Sequence, residues 1–372
     1  MGFHVVADEA IQITPALREA ADSLTLLPGA SIRSSDLSYA DVLLVRTVTT
    51  VDQGLLDGTP VSRVGTATAG FDHLDTDYLD RNNIAWASAP GVNARAVVEY
   101  VLSVLVHMDA LKTITAGGLI GILGYGRVGR LLAQVVEALG GKALVWDPWV
   151  DVPERRRAAS LNALFDSPVI SLHASLHSNN PWPSAGLVNQ ELAQRLSPEQ
   201  LLINAARGPL IGADALQIMI ESGVRLALDT WPEEPQISAE QLLGVDLATP
   251  HIAGYTLEAK KRATDGLVNA LWPGDVESIE PLEEIVGCSV DLSGESWLER
   301  LLLSHYNPPD DDTALRASGM PDVCPRDFER LRTSYALRRE LWGSTKVTED
   351  EPDITVRKIL DALGVSLRIG RR

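Results

Sequence analysis

Three side chains of this sequence, Arg207, Glu234 and His251, have the chemistry to move a proton and hold an anion. An imidazole titrates near neutral pH, so His251 can take a hydroxyl proton and later return it. Glu234 can accept a hydrogen bond from the other ring nitrogen, which fixes the tautomer and stabilises the imidazolium that forms. Arg207 offers a planar two-pronged donor that matches a carboxylate or a developing carbonyl. Singly, each has an ordinary explanation: a capped strand-end histidine, a rim glutamate in an acidic loop, an arginine in a surface ion pair. Their placement sets them apart, because each lies just past an apolar run that reads as a strand.

Those runs belong to a βα alternation that begins at GILGYGRVG, Gly121 to Gly129. Leu119–Leu123 reads as a buried strand, the glycines at 124, 126 and 129 as a tight turn, and a periodic apolar helix starts at Val128. Gly124 permits the turn, Gly126 lets backbone amides approach a pyrophosphate, and Gly129 lets helix and strand pack closely. The phosphates then rest on the amino end of that helix, at Arg127, Val128 and Gly129. Val128, Leu131, Leu132, Val135, Val136 and Leu139 follow helical spacing until Gly140 and Gly141 stop it. The next strand, Ala143 to Trp146, ends on Asp147, about twenty residues past the turn, where a carboxylate accepts ribose hydroxyls and repels a 2'-phosphate. The expected cofactor is therefore NAD rather than NADP.

Beyond Asp147, Val169 to His173, Leu201 to Asn204, Arg225 to Asp229 and Val245 to Thr249 read as strands, and Leu187 to Leu196 and Ala213 to Glu221 as helices. In a doubly wound sheet the carboxyl ends of such strands line the crevice that holds the glycine turn. His173, Asn204 to Arg207, Asp229 to Glu234 and His251 all fall at such ends.

Ahead of this fold, Phe3 to Ala7, Val42 to Val45, Val61 to Gly65 and Ile84 to Ala87 are strands of a smaller α/β domain, with helical stretches near Pro15 to Ala21 and Tyr78 to Arg81. Two polar clusters lie at strand ends there, Arg46 to Thr49 and Gly65 to Gly70, and from pattern alone both are equally Thr-rich turns. A helix with Ala94, Val97, Val98, Val101, Leu102, Leu105 and Val106 on one face crosses into the nucleotide fold. Glu99, beside that stripe, reads as a domain-interface hydrogen-bond partner. Thr256 to Leu271 is a returning helix ended by WPG at 272–274. From about Glu284 the composition changes: Tyr306 to Asp312 is a Pro/Asp turn, Asp327 to Leu341 an arginine-rich amphipathic helix, and Ile359 to Ile369 a helix end plus a strand. This third, α+β domain carries no catalytic cluster of its own and reads as an assembly element.

The chain of 372 residues has ordinary globular composition, 45% apolar and 22% charged. No apolar run approaches the roughly 20 residues that span a bilayer, and Asp8 and Glu9 sit where a signal sequence would be basic, so a cytoplasmic location is expected. Cys288 and Cys324 lack zinc-type spacing, so free thiols and no metal site are expected. A net charge of -18 argues against nucleic acid and anionic membrane as partners. It also repels small anions at long range, so an anionic substrate needs local arginines.

INAARGPLI (Ile203 to Ile211), LDTWPEEP (Leu228 to Pro235) and TPHIAGYT (Thr249 to Thr256), downstream of the glycine turn, resemble the D-isomer-specific 2-hydroxyacid dehydrogenases. The resemblance implies that Arg207, Glu234 and His251 are catalytic and that the substrate domain is interrupted and flavodoxin-like. The domains implied are 1–92 plus 257–283 for substrate, 93–256 for NAD in a Rossmann-type fold, and a C-terminal α+β domain at 284–372.

VRTVT, VGTATAGFDHLD, APGVNARAVVEYV, HIAGYTLE and FERLRTSYALRRELW are similar to one branch of that family, whose extra terminal domain serves dimerisation. The branch implies a phosphorylated four-carbon 2-hydroxy acid oxidised at C2 in vitamin B6 synthesis, and a homodimer. Matching positions imply Thr47, Thr68 and Tyr255 as substrate contacts and Asp147, Ala205, Ala206, Arg207, Asp229 and Gly254 near NAD. Arg46 is added as a phosphate partner because the ligand is anionic. Two positions depart from the family: Ala174 stands where a threonine usually meets the cofactor, and Thr47 where a serine is frequent. Open alternatives are a dehydrogenase of 3-phosphoglycerate or another 2-hydroxy acid, and an NAD-sensing binding protein without turnover.

Overall fold

The computed structural model describes residues 3–272, 292, 294–318, 323–336, 338–342, 346–347 and 353–367. The chain divides into two compact units: Met1–Asn93 with Thr256–Glu283, and Ala94–Tyr255 with Glu284–Arg372. The terminal region thus clusters with the nucleotide fold. Cys288, Pro273 and Gly274 of the WPG string, and Arg368 and Ile369 at the end of the last expected strand, lie outside the described residues.

The first unit is a parallel sheet of β1 (Phe3–Asp8), β2 (Ala21–Leu27), β3 (Val42–Val45), β4 (Arg63–Thr66) and β5 (Ala85–Ser88), ordered β2-β1-β3-β4-β5. That is the flavodoxin order. β3 is wholly buried, as its unbroken apolar run requires of a central parallel strand. β2 was not foreseen: ADSLTLL reads as a ragged edge because it is half solvated, yet it pairs with β1 from Ala21 to Leu27. The returning helix, Leu257–Leu271, is capped by Thr256, whose side chain accepts from the Ala259 amide. Leu267, Val268 and Leu271 join the core of this unit.

The second unit has β6 (Leu119–Leu123), β7 (Lys142–Trp146), β8 (Val169–Leu172), β9 (Leu201–Asn204), β10 (Arg225–Leu228) and β11 (Leu247–Ala248), all parallel, in the order β11-β10-β9-β8-β6-β7. A further edge strand is reduced to one bridge between Val145 and Arg157. Order reverses between β6 and β8, the switch point where a doubly wound sheet takes its ligand. The helix after the glycine turn runs Arg127–Ala138, one residue earlier than its periodicity predicts.

Two predicted helices are shorter. Leu187 to Leu196 contracts to Gln190–Ala193, because Val188 bridges to Ile211 and Asn189 serves as the cap. Asp327 to Leu341 is helical only over Pro325–Thr333. Beyond Ser334 the chain sends Arg338, Glu340 and Leu341 into the interior, where helical spacing would have left arginines on a solvated face. No described helix is long and apolar enough to cross a membrane.

Candidate active site

Each glycine of the turn meets a distinct constraint. Gly124 has φ 95, and a β-carbon on it would stand 2.6 Å from the Ala174 nitrogen. At Gly129 a β-carbon would lie 2.0 Å from the Gly124 carbonyl oxygen. At Gly126 it would meet no protein atom within 4 Å, so the space there is kept clear by something other than packing. A cofactor phosphate on the helix's amino end would fit that space.

Beside the turn lies a cavity of about 290 Å³ lined by Gly124, Gly126, Asp147, His173, Ala174 and Trp182 among others. Asp147 Oδ2 accepts from the Tyr125 amide at 2.7 Å and Oδ1 from the Trp149 amide at 2.8 Å, which fixes the carboxylate at the cavity wall. Trp149 and Trp182 are half exposed at the rim, with Trp149 Nε1 donating to the Trp182 carbonyl at 3.3 Å. Sequence reasoning missed this rim: Trp149 is a near neighbour of the acid in the chain, but Trp182 reaches the cavity only through the fold. Burial pushes the His173 imidazole down to about 3, so it borders the cavity uncharged, its Nε2 2.8 Å from Ser171 Oγ. These residues fit the adenosine half of NAD: a carboxylate for ribose hydroxyls, aromatic faces for the base, and bare amides for phosphate. Ala174 lines the cavity with a methyl group and has no side-chain hydroxyl to offer.

The loops after β9, β10 and β11 are fastened together. A β-carbon on Gly208 would lie 1.7 Å from the Trp231 carbonyl oxygen, so glycine there is what lets the Arg207 loop press on the next one. Asn204 Oδ1 accepts from the Ala206 amide at 3.1 Å, and Asn204 Nδ2 donates to the Arg207 carbonyl at 3.0 Å. Ala205 is buried, and Ala206 and Arg207 are partly exposed. Trp231 Nε1 donates to the Thr249 carbonyl at 3.1 Å.

Asp229, expected near the cofactor, is buried and already engaged. Its Oδ1 accepts from Thr249 Oγ1 and the Ile252 amide, both at 2.7 Å, and its Oδ2 from the Ala253 amide at 2.9 Å. These three contacts all fall on the loop Thr249 to Gly254, which Asp229 thereby shapes. His251 stands there with φ 57, a left-handed conformation uncommon for a residue with a β-carbon.

His251 Nδ1 lies 2.6 Å from Glu234 Oε1. Glu234 Oε2 accepts from the Trp231 amide at 3.1 Å. Burial alone would push the Glu234 carboxyl up; the charge and hydrogen bond of His251, then the charge of Arg332, outweigh it and hold the group below the usual carboxylate range. An ionised carboxylate can only accept, so Nδ1 carries a proton in either state, and Nε2 is the basic nitrogen of the neutral ring. Such a pair suits reversible proton transfer.

Arg332 and Tyr255 also meet: Arg332 Nη2 donates to the Tyr255 hydroxyl at 3.1 Å. Glu99 is buried, and its Oε1 accepts from the Leu341 and Trp342 amides at 2.9 and 3.4 Å. It does bond across to the terminal region, as a buried hydrogen-bond partner within the second unit.

In the first unit, Arg46, expected as a phosphate partner, is paired with Asp8. Its Nε and Nη2 hold Asp8 at 2.9 and 3.2 Å, and both side chains are buried. A buried pair of this kind resists losing one member by about 3–5 kcal/mol. A ligand phosphate would therefore have to compete with Asp8 for the fork. Thr47 is partly exposed, and Thr68 Oγ1 donates to the Gly70 carbonyl at 2.8 Å while lying 2.8 Å from Thr66 Oγ1.

Residues 107–253 match the NAD-binding domain of the D-isomer-specific 2-hydroxyacid dehydrogenases, and residues 283–364 match a domain of unknown function. The chain is 37% identical to erythronate-4-phosphate dehydrogenase of Pseudomonas aeruginosa, over 98% of this chain and 100% of that protein. It is also 37% identical to the enzyme of that name from Proteus mirabilis, over 97% and 98%. D-Lactate dehydrogenase of Aquifex aeolicus, solved with NAD and lactic acid, superposes with a TM-score of 0.60 at 23% identity, over 73% of this chain and 96% of that one. NAD-bound 3-phosphoglycerate dehydrogenase of Entamoeba histolytica gives 0.61 at 21% identity, over 73% and 94%.

Proposed function

Because the chain belongs to the D-isomer-specific 2-hydroxyacid dehydrogenases and is an NAD-dependent enzyme, we propose that it oxidises 4-phospho-D-erythronate at C2 to 2-oxo-3-hydroxy-4-phosphobutanoate. The observation that carries this reading is the His251–Glu234 pair at 2.6 Å, in a chain so similar over its whole length to enzymes named for that substrate. When bound, NAD supplies the acceptor for the hydride leaving C2.

The chain's own residues supply the rest. His251 Nε2 takes the proton from the C2 hydroxyl, while Nδ1–H donates to Glu234 and the carboxylate stabilises the imidazolium. Arg207 binds the substrate carboxylate and the oxygen that becomes the carbonyl. Thr47, Thr68 and Tyr255 supply hydroxyls to the substrate. Asp147 holds the adenosine ribose, and Gly124, Gly126, Arg127, Val128 and Gly129 the phosphates. Ala174, Ala205, Ala206, Asp229 and Gly254 complete the cofactor's surroundings. The same reading makes the enzyme a homodimer joined through residues 284–372, acting in vitamin B6 synthesis.

The test is formation of the 2-oxo product by the purified protein from 4-phospho-D-erythronate and, separately, from 3-phospho-D-glycerate, with a second 2-oxo acid present to reoxidise the NADH formed. The expected outcome is a kcat/KM at least tenfold higher for the first. Faster turnover of 3-phospho-D-glycerate would replace this reading with a related dehydrogenase.

A further inference from the structure

The loop from His251 to Tyr255 is held on one side by Asp229, which takes its amide protons at Ile252 and Ala253. The carbonyls of the same loop go elsewhere, to an arginine of the terminal region. Arg338 is buried; its Nη1 donates to the Ile252 carbonyl at 3.2 Å and to that of Tyr255 at 3.4 Å, and its Nη2 to those of Ala253 at 2.7 Å and Ala96 at 3.0 Å. Its guanidinium lies over the Tyr306 ring, 4.4 Å from the centroid. Only a planar fork with outward N–H groups reaches carbonyls spread this way, and a lysine ammonium does not.

Arg332, also buried, lies on the preceding helix. Its Nη2 holds the Tyr255 hydroxyl at 3.1 Å, its Nη1 lies 3.1 Å from Glu329 Oε2, and its charge reaches Glu234. The continuation that carries Arg338 is itself anchored. Leu341 and Trp342 donate to Glu99, and the Arg95 guanidinium lies 3.4 Å over the Trp342 ring. A left-handed histidine persists only where its surroundings over-determine the backbone. Here the amides are fixed by Asp229 and the carbonyls by Arg338.

We infer that Arg338 and Arg332 are positioning residues for the loop that carries His251, Arg338 through the backbone carbonyls and Arg332 through the Tyr255 hydroxyl. The terminal region is then a working part of the site in its own chain, in addition to any role in joining two copies. The kinetic half of this inference rests on the reaction proposed above; the bracing of the loop does not.

The test compares Arg338→Lys, Arg332→Gln and Arg332→Lys with the parent in the full-length protein. Four readings are taken: sedimentation for oligomeric state, fluorescence titration with NADH, kcat and KM for the hydroxy acid, and hydrogen exchange of peptides covering 251–255. Arg338→Lys is expected to keep the parent's oligomeric state and its NADH affinity within about threefold, to lower kcat at least tenfold, and to speed exchange across the loop at least tenfold. Arg332→Gln is expected to raise KM and lower kcat with exchange nearly unchanged, because it acts on a side chain, and Arg332→Lys to recover part of the loss.

Unchanged exchange in Arg338→Lys, or a kcat loss that appears only together with dissociation into single chains, overturns the inference. If Arg338→Lys does not fold, the two Arg332 variants decide: equal activity in Gln, Lys and parent contradicts it. A parent that turns over no 2-hydroxy acid refutes the reaction instead, while the exchange readings still judge the bracing.

Discussion

Gly208 and Trp231 approach so closely that a single added β-carbon would stand 1.7 Å from the tryptophan carbonyl oxygen. That contact seats the Arg207 loop against the segment leading to Glu234. Gly208→Ala should force the two loops apart. Its expected effect is a destabilisation of about 1–3 kcal/mol, in the range of overpacked cores, with a kcat loss larger than stability explains. Chemical denaturation and steady-state kinetics on the same preparation check both.

Gly126 and Gly129 make a matched pair of opposite consequence. An alanine at 126 meets no protein atom, whereas one at 129 meets the Gly124 carbonyl oxygen at 2.0 Å. Gly126→Ala should leave the melting temperature within a few degrees of the parent and weaken NADH binding about tenfold or more, since the methyl enters the phosphate space. Gly129→Ala should lower the melting temperature first. Thermal melts with and without NADH separate the two.

On the proposed reading, Asp147 sets the choice between cofactors. Its carboxylate is fixed by the Tyr125 and Trp149 amides at the wall of the cavity. Asp147→Ser should weaken NADH binding about tenfold and bring NADPH within reach, because the repulsion of a 2'-phosphate is gone. Titration with each reduced cofactor gives the ratio.

Glu99 should leave a signature in the pH dependence of stability. Burial first, then the neighbouring Glu340 charge, pushes its carboxyl up to about 8, against the partial relief of Arg338 and two amide bonds. A folded value raised above the unfolded one means that the folded state binds the extra proton. Its contribution is full below about pH 4.5 and is lost as pH rises towards 8. Glu99→Gln should flatten the fall in denaturation midpoint between those limits. An unchanged slope in that variant would assign the dependence to other groups.

The glycine turn and the strand-end positions of Arg207, Glu234 and His251 were legible because their signals lie in the local sequence. The spacing of the glycines shows in the string itself, although Gly124 answers to Ala174 on a distant loop, and strand ends mark themselves by the stop of an apolar run. What the arginines do was not legible. Arg332 and Arg338 looked like one face of a charged helix, since helical spacing and burial after the helix end produce the same string. Their partners, Tyr255 and the carbonyls of Ile252 and Ala253, are distant in sequence, and a carbonyl carries no residue identity at all. Arg46 shows the same limit from the other side: a cation at a strand end suggests a ligand, and the sequence does not reveal that Asp8 on the adjacent strand pairs with it.

The most direct test concerns His251. Its pairing with Glu234 at 2.6 Å supports the proposal that it is the acid–base group of the reaction. In His251→Ala, single-turnover oxidation of 4-phospho-D-erythronate by the NAD-loaded enzyme should slow by about a thousandfold or more, at the upper part of what general acid–base catalysis contributes. NADH affinity should stay within a fewfold of the parent. A variant that turns over at close to the parent's rate contradicts the assignment of His251 as the base.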